Sequence, residues 1–183
     1  MSLRPLAASA VLALLLAASA HADPQTFGLV LSGSPANAAA HGSGTLTFDD
    51  ATNTLSVTLS FSGLSSPVTS AWLHCCAPME SGALAAVSLV AFPPGPGGVY
   101  VHTFDLLSAS TYNPAFAAAH AGGTVTAEQA LIVGMQGGMA YVSISTSMHA
   151  NELPGTVQPV PEPATLALML AGVGVLVAVR RRG

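Results

Sequence analysis

From Thr45 to Phe61, apolar and polar residues alternate with a period of two, broken only by Asp49-Asp50-Ala51-Thr52-Asn53. Leu46 and Phe48 take turns with Thr45 and Thr47. Leu55, Val57, Leu59 and Phe61 take turns with Ser56, Thr58 and Ser60. Successive side chains of a strand point to opposite faces, so each run has one apolar and one hydroxyl-bearing face. The interruption is rich in turn formers, and the pair reads as an antiparallel hairpin. Further strands are expected at 27–31, 68–74, 83–92, 99–106 and 139–146. Gly63 with Pro67, the proline–glycine run at 93–98, and Gly137-Gly138 punctuate them. Short strands with such punctuation point to a β-sandwich or barrel. Residues 126–135 follow Gly122-Gly123 and are good helix formers, so one short helix is expected there.

The two ends belong to a different physical regime. Arg4 precedes an apolar run at 6–18, and Ala20-His21-Ala22 forms a small-x-small cleavage site before Asp23. This is the pattern of a signal peptide, removed by signal peptidase on the general secretory route. At the other end, Pro161-Glu162-Pro163 precedes an apolar run of 16 residues at 164–179, then Arg180-Arg181-Arg182. As a helix that run would be about 24 Å long, a little under the bilayer core of about 30 Å. The arginines would hold its far end in the cytoplasm. Both ends therefore give one topology, with an exported domain held at the inner membrane by a C-terminal transmembrane helix. The chain divides into a signal peptide at 1–22, a domain at 23–158 and a tail at 159–183.

Charge separates the domain from its ends. Every basic residue of the 183-residue chain, Arg4, Arg180, Arg181 and Arg182, lies outside 22–159. Within that stretch stand Asp23, Asp49, Asp50, Glu80, Asp105, Glu128 and Glu152, with no lysine or arginine. Nucleic-acid binding needs a cationic footprint and is excluded on this ground, and polyanionic ligands are disfavoured.

The sharpest chemical feature is His74-Cys75-Cys76. Three soft donors in a row suggest a metal site, but neighbours on a strand point to opposite faces. Further ligands would have to come from His41, His102, His120 or His149. Export favours oxidised cysteines. A vicinal disulfide between Cys75 and Cys76, an intermolecular bridge and free thiols all remain open. Asp49-Asp50 reads as a turn element before it reads as a calcium corner. Trp72 reads as a core residue. No recognised catalytic or cofactor-binding motif is present. An enzyme would need His102, His120 and Asp105 to converge. The expectation is a non-enzymatic protein with no cofactor.

Two resemblances extend this reading. The tail VPEPATLALMLAGVGVLVAVRRRG resembles the PEP-CTERM sorting signal of Gram-negative bacteria, with its Pro-Glu-Pro motif, apolar helix and arginine cluster in order. That resemblance implies recognition by an exosortase, which cuts near Pro-Glu-Pro, and an association with exopolysaccharide or biofilm matrix. The domain resembles the CHRD family through LSGS at 31–34, GTLTFDDATNTLSVTLSFSGLSSPVT at 44–69 and AWLHCCAP at 71–78. TFDL at 103–106, YNPAF at 112–116 and AYVSIST at 140–146 continue it. This resemblance implies an all-β, immunoglobulin-like β-sandwich and no established activity. The chain departs from the family where Trp72 replaces the first histidine of a His-x-His pair. Ser145 likewise stands in place of a histidine, and Pro154 lies near a usual arginine. These departures weaken any metal role. The leading expectation is an exported structural or adhesive protein of the cell surface or matrix. The alternative is a metal-binding or redox module centred on His74-Cys75-Cys76.

Overall fold

The computed structural model describes residues 24–120 and 124–161. The expected signal peptide with Ala20, Ala22 and Asp23 lies outside them. So do Glu162, Pro163, the apolar run at 164–179 and the terminal arginines. Among the described residues, no helix is long and apolar enough to cross a membrane.

The strands are β1 (Gln25–Ser32), β2 (His41–Asp49), β3 (Thr54–Ser62), β4 (Val68–Cys75), β5 (Leu84–Ser88), β6 (Gly98–Asp105), β7 (Ala140–Thr146) and β8 (Leu153–Pro159). The helices are α1 (Pro114–Ala119) and α2 (Thr124–Gln136). All strands join one antiparallel sheet in the order β5-β4-β7-β8-β1-β2-β3-β6. Phe27, Leu46, Leu55 and Leu59 from one half of the sheet share one core with Leu73, Val142, Ile144 and Val157 from the other. The sheet therefore curls over its own apolar face, and its two halves oppose each other as the layers of a sandwich do.

The alternation sets this arrangement. The residues of β3 expected to face inward, Leu55, Val57, Leu59 and Phe61, are all buried. At the expected turn, Asp49 Oδ1 accepts from Ala51 N at 2.9 Å and Thr52 N at 3.3 Å. Asn53 takes the left-handed conformation that ends the turn (φ 52°).

The structure differs from the expectations in four places. Helix α1 is additional: Asn113 Oδ1 caps it by accepting from Ala115 N at 2.9 Å, and Pro114 opens it. Strand β8 is also additional. Pro154 lies past the last β1 pair and Pro159 past the last β7 pair, so neither removes a ladder donor. Strand β5 is shorter than expected, because the chain turns after Leu89 and Ala91 adopts φ 55°. Trp72 is half-buried on the outer face of β4, not in the core. The strand's inward register belongs to Ala71, Leu73 and Cys75.

Helix α1 packs on β5, and α2 packs on β4, β7 and β8. Ala127, Leu131 and Met135 of α2 are fully buried. The helix ends where Gly138 (φ 66°) lets Gly138 N reach Met135 O and Met139 N reach Gly134 O.

Candidate functional site

The alternation of β4 separates the residues of the His74-Cys75-Cys76 group. Leu73 and Cys75 point into the core, while Trp72 and His74 lie on the outer face. The His74 ring stacks on Tyr141 with centroids 4.6 Å apart. Its Nδ1 contacts Ala83 O at 3.2 Å and its Nε2 contacts Ser143 Oγ at 2.9 Å. Burial lowers the pKa of His74, partly opposed by the Ala83 carbonyl. Both ring nitrogens already have partners on this face.

Cys75 and Cys76 are joined by a disulfide between adjacent residues. Cys76 sits at φ 103°, which turns its sulfur back toward the interior. The pair lies beneath α2, with Ala130 O at 3.6 Å from Cys75 Sγ and 3.3 Å from Cys76 Sγ. Gly134 makes this approach feasible, because a Cβ there would overlap Cys75 Sγ and lie 3.2 Å from Cys76 Sγ. His74 is thus not brought together with the two sulfurs. No cluster of three or more His, Cys, Asp or Glu side chains suited to a metal is found among the described residues.

The remaining candidates are engaged separately. The His102 ring lies between Tyr100, stacked at 6.1 Å, and Phe104, tilted at 4.5 Å. His120 ends α1 against Phe116 at 4.5 Å. Asp105 Oδ1 accepts from Leu107 N at 2.9 Å. His41 contacts Ala39 O and Ser62 Oγ, each at 3.0 Å.

A further polar group, outside all of these motifs, is a buried carboxylate with four hydrogen bonds to its oxygens. Glu152 is fully buried. Its Oε1 accepts from Asn37 Nδ2 and Ser65 N, both at 2.6 Å. Its Oε2 accepts from Ser65 Oγ at 3.0 Å and from Thr146 Oγ1. Burial alone would raise its pKa, but the hydrogen bonds from Thr146, Asn37 and Ser65 outweigh it and bring the value down to about 2. Asn37 Nδ2 also reaches Gly63 O at 2.7 Å, and Ser34 N donates to Glu152 O at 2.9 Å. The carboxylate thus pins three loops at one end of the sheet. A domain without lysine or arginine satisfies its buried acid with neutral donors.

The outer face of β1, β2, β3 and β6 is exposed to solvent. Its register aligns Val30, Ser43, Ser60 and Val99 in one row, and Gly28, Thr45, Thr58 and Val101 in the next. Thr26, Thr47, Ser56 and Thr103 form a third, in which Ser56 Oγ and Thr103 Oγ1 are 2.9 Å apart. None of these rows contains a charge. A shallow hollow of about 620 Å³ opens beside them, lined by Gly28, Val30, Ser32, Gly44, Thr156 and Val160 among others. Val160 N donates to Thr26 O at 3.0 Å, so Pro161 leaves the domain directly from this face.

Together these features define an antiparallel β-domain that carries two helices and leads directly into the C-terminal segment. The sequence pattern of the CHRD domain matches residues 27–155, and the chain belongs to that family. The PEP-CTERM protein-sorting motif matches residues 159–182. The motif implies export and exosortase-dependent sorting to the cell envelope. No curated protein matches the chain, and neither does any solved structure.

Proposed function

We propose that this chain is a non-enzymatic structural or adhesive protein of the extracellular matrix, delivered through its sorting tail. The apolar run at 164–179 would hold the chain in the inner membrane, with Arg180, Arg181 and Arg182 in the cytoplasm, until an exosortase cuts near Pro161-Glu162-Pro163. Membrane attachment is then a stage of delivery. The released domain acts as a building element among neutral exopolysaccharides. The observation that carries this reading is the outer face of β1, β2, β3 and β6, whose three central rows are hydroxyl-bearing and uncharged, with the acids Asp49 and Asp105 in the row that borders the turn. Hydroxyls donate and accept hydrogen bonds alike, and Val30, Val99 and Val101 add exposed apolar area at 72%, 65% and 70% exposure. Such a surface suits an uncharged polyhydroxylated polymer better than an ionic ligand.

The test is gene deletion with complementation, scored by biofilm cohesion and by retention of the protein in washed matrix. Loss of cohesion, restored by the wild-type gene, supports the reading. Unchanged cohesion together with a fully soluble protein contradicts it. The metal-binding alternative gains no support from the geometry, because His74 lies on the outer face of β4 while the two sulfurs are bonded to each other beneath α2.

A further inference from the structure

The two ends of the sheet are finished differently. The outer side of β5 is covered: Asn113 N donates to Ala86 O at 2.9 Å, and Val87 bridges Tyr112. Strand β6 has no such cover. Leu106 N donates to Asn53 O at 2.9 Å, which fixes the phase of the β3–β6 ladder. By the alternation of antiparallel pairing, Gly98, Tyr100, His102 and Phe104 bond to β3. The N–H and C=O groups of Val99, Val101 and Thr103 point away from it. Among the described residues these groups have no backbone partner. Asp105 O, at the end of the strand, is taken up by Ser108 N and Thr111 Oγ1.

Natural sheets usually blunt such an edge with lysine, proline or a bulge. Strand β6 carries no lysine or proline, and its ladder with β3 runs without a register shift. Its outward side chains include two exposed valines.

We propose that the open edge of β6 pairs with β6 of a second copy of this chain, antiparallel, about a two-fold axis at Val101. In that register Val101 faces Val101, and Val99 faces Thr103 of the other copy. The three outward-pointing residues of each strand then meet, and each opposed pair exchanges two hydrogen bonds. Val101 packs against its counterpart on the outer face. Charge supports this choice of partner. Residues 81–104 contain no Asp, Glu, Lys or Arg, and Asp105 falls opposite Gly97 of the other copy, not opposite a second acid. The pairing joins the two hydroxyl faces into one continuous surface, which would double the sites offered to a repeating polymer. It does not depend on the matrix reading. Strand-edge contacts bury little area, so association is expected in the micromolar range.

The test is sedimentation velocity of the full chain, purified from the envelope in detergent, across the micromolar range, with Val101→Pro and Val101→Lys. The Val101 N–H makes no bond to β3, so proline there removes no internal ladder bond. Lysine at so exposed a position leaves the core untouched. Circular dichroism is the control for the folding of both variants. The proposal expects a wild-type dimer, loss of that dimer in both variants, and concentration-dependent exchange protection of the Val99, Val101 and Thr103 amides. A wild-type monomer throughout the range would overturn it. So would a dimer that survives both substitutions, or amides already protected in the monomer by a segment of the same chain. Open-ended assembly would overturn it as well, because a two-fold contact must close.

Discussion

Ser65 donates to both oxygens of the Glu152 carboxylate, 87 residues further along the chain, through its backbone N–H to Oε1 and its hydroxyl to Oε2. With Asn37 and Thr146 completing the shell, this contact joins loops from the first, middle and last parts of the domain. The carboxylate is held at about 2, below its ordinary 4.5, so folding favours its ionised form. The stability it contributes is fully present above pH 4.5 and is lost as pH falls toward about 2. Glu152→Gln places an amide donor among donors. It should cost about 2 kcal/mol or more at neutral pH and flatten the acid limb of the stability profile. Urea titrations of both proteins between pH 7 and pH 2 check this. Parallel acid limbs would show that the carboxylate is not responsible.

Glu128 has the opposite sign. It is buried, and burial raises its pKa, with Asp50 and Asp105 adding repulsion. No lysine or arginine of the domain offsets them. The folded state binds its proton more readily than the unfolded state, so this group favours folding less as pH rises above the ordinary carboxylate range. Glu128→Gln should therefore raise the melting temperature at pH 7, and the gain should disappear below pH 4.5. Thermal scans at the two pH values decide the point. An equal gain at both would assign the effect to packing.

Gly134 lies in α2, where helix propensity alone would make alanine better by about 1 kcal/mol. A Cβ there overlaps Cys75 Sγ. Overpacking of this kind costs about 1–3 kcal/mol, so packing should win. Gly134→Ala is expected to be net destabilising, measured by denaturant unfolding. A stabilised variant would mean that the sulfurs do not sit beneath the helix.

Most of the sheet was legible because its strands alternate: Leu55 to Phe61 announced both the strand and its buried face. Strand β8 was hidden because Pro154, Gly155 and Pro159 read as loop residues. Only the ladder shows that both prolines fall where a neighbouring strand has ended. Helix α1 was hidden because six residues carry too little periodicity, and its signal was the Asn113-Pro114 cap. Trp72 was assigned inward by its size, although Leu73 and Cys75 already occupied that register. His74 and Cys75 could be separated from sequence by the same alternation, which argued against one shared metal ion. The Glu152 cluster was not legible at all. Its donors come from positions 37, 65 and 146, and no local pattern brings such residues together.

The central claim is that the chain is exported and then parted from its tail, leaving an acidic β-domain outside the cell. Intact-mass measurement of the protein recovered from the matrix tests it most directly. The account predicts a chain beginning at Asp23 and ending near Pro161-Glu162-Pro163, lighter by two hydrogens for the Cys75–Cys76 disulfide. A mass that retains Arg180, Arg181 and Arg182, or one that retains the first 22 residues, would contradict it.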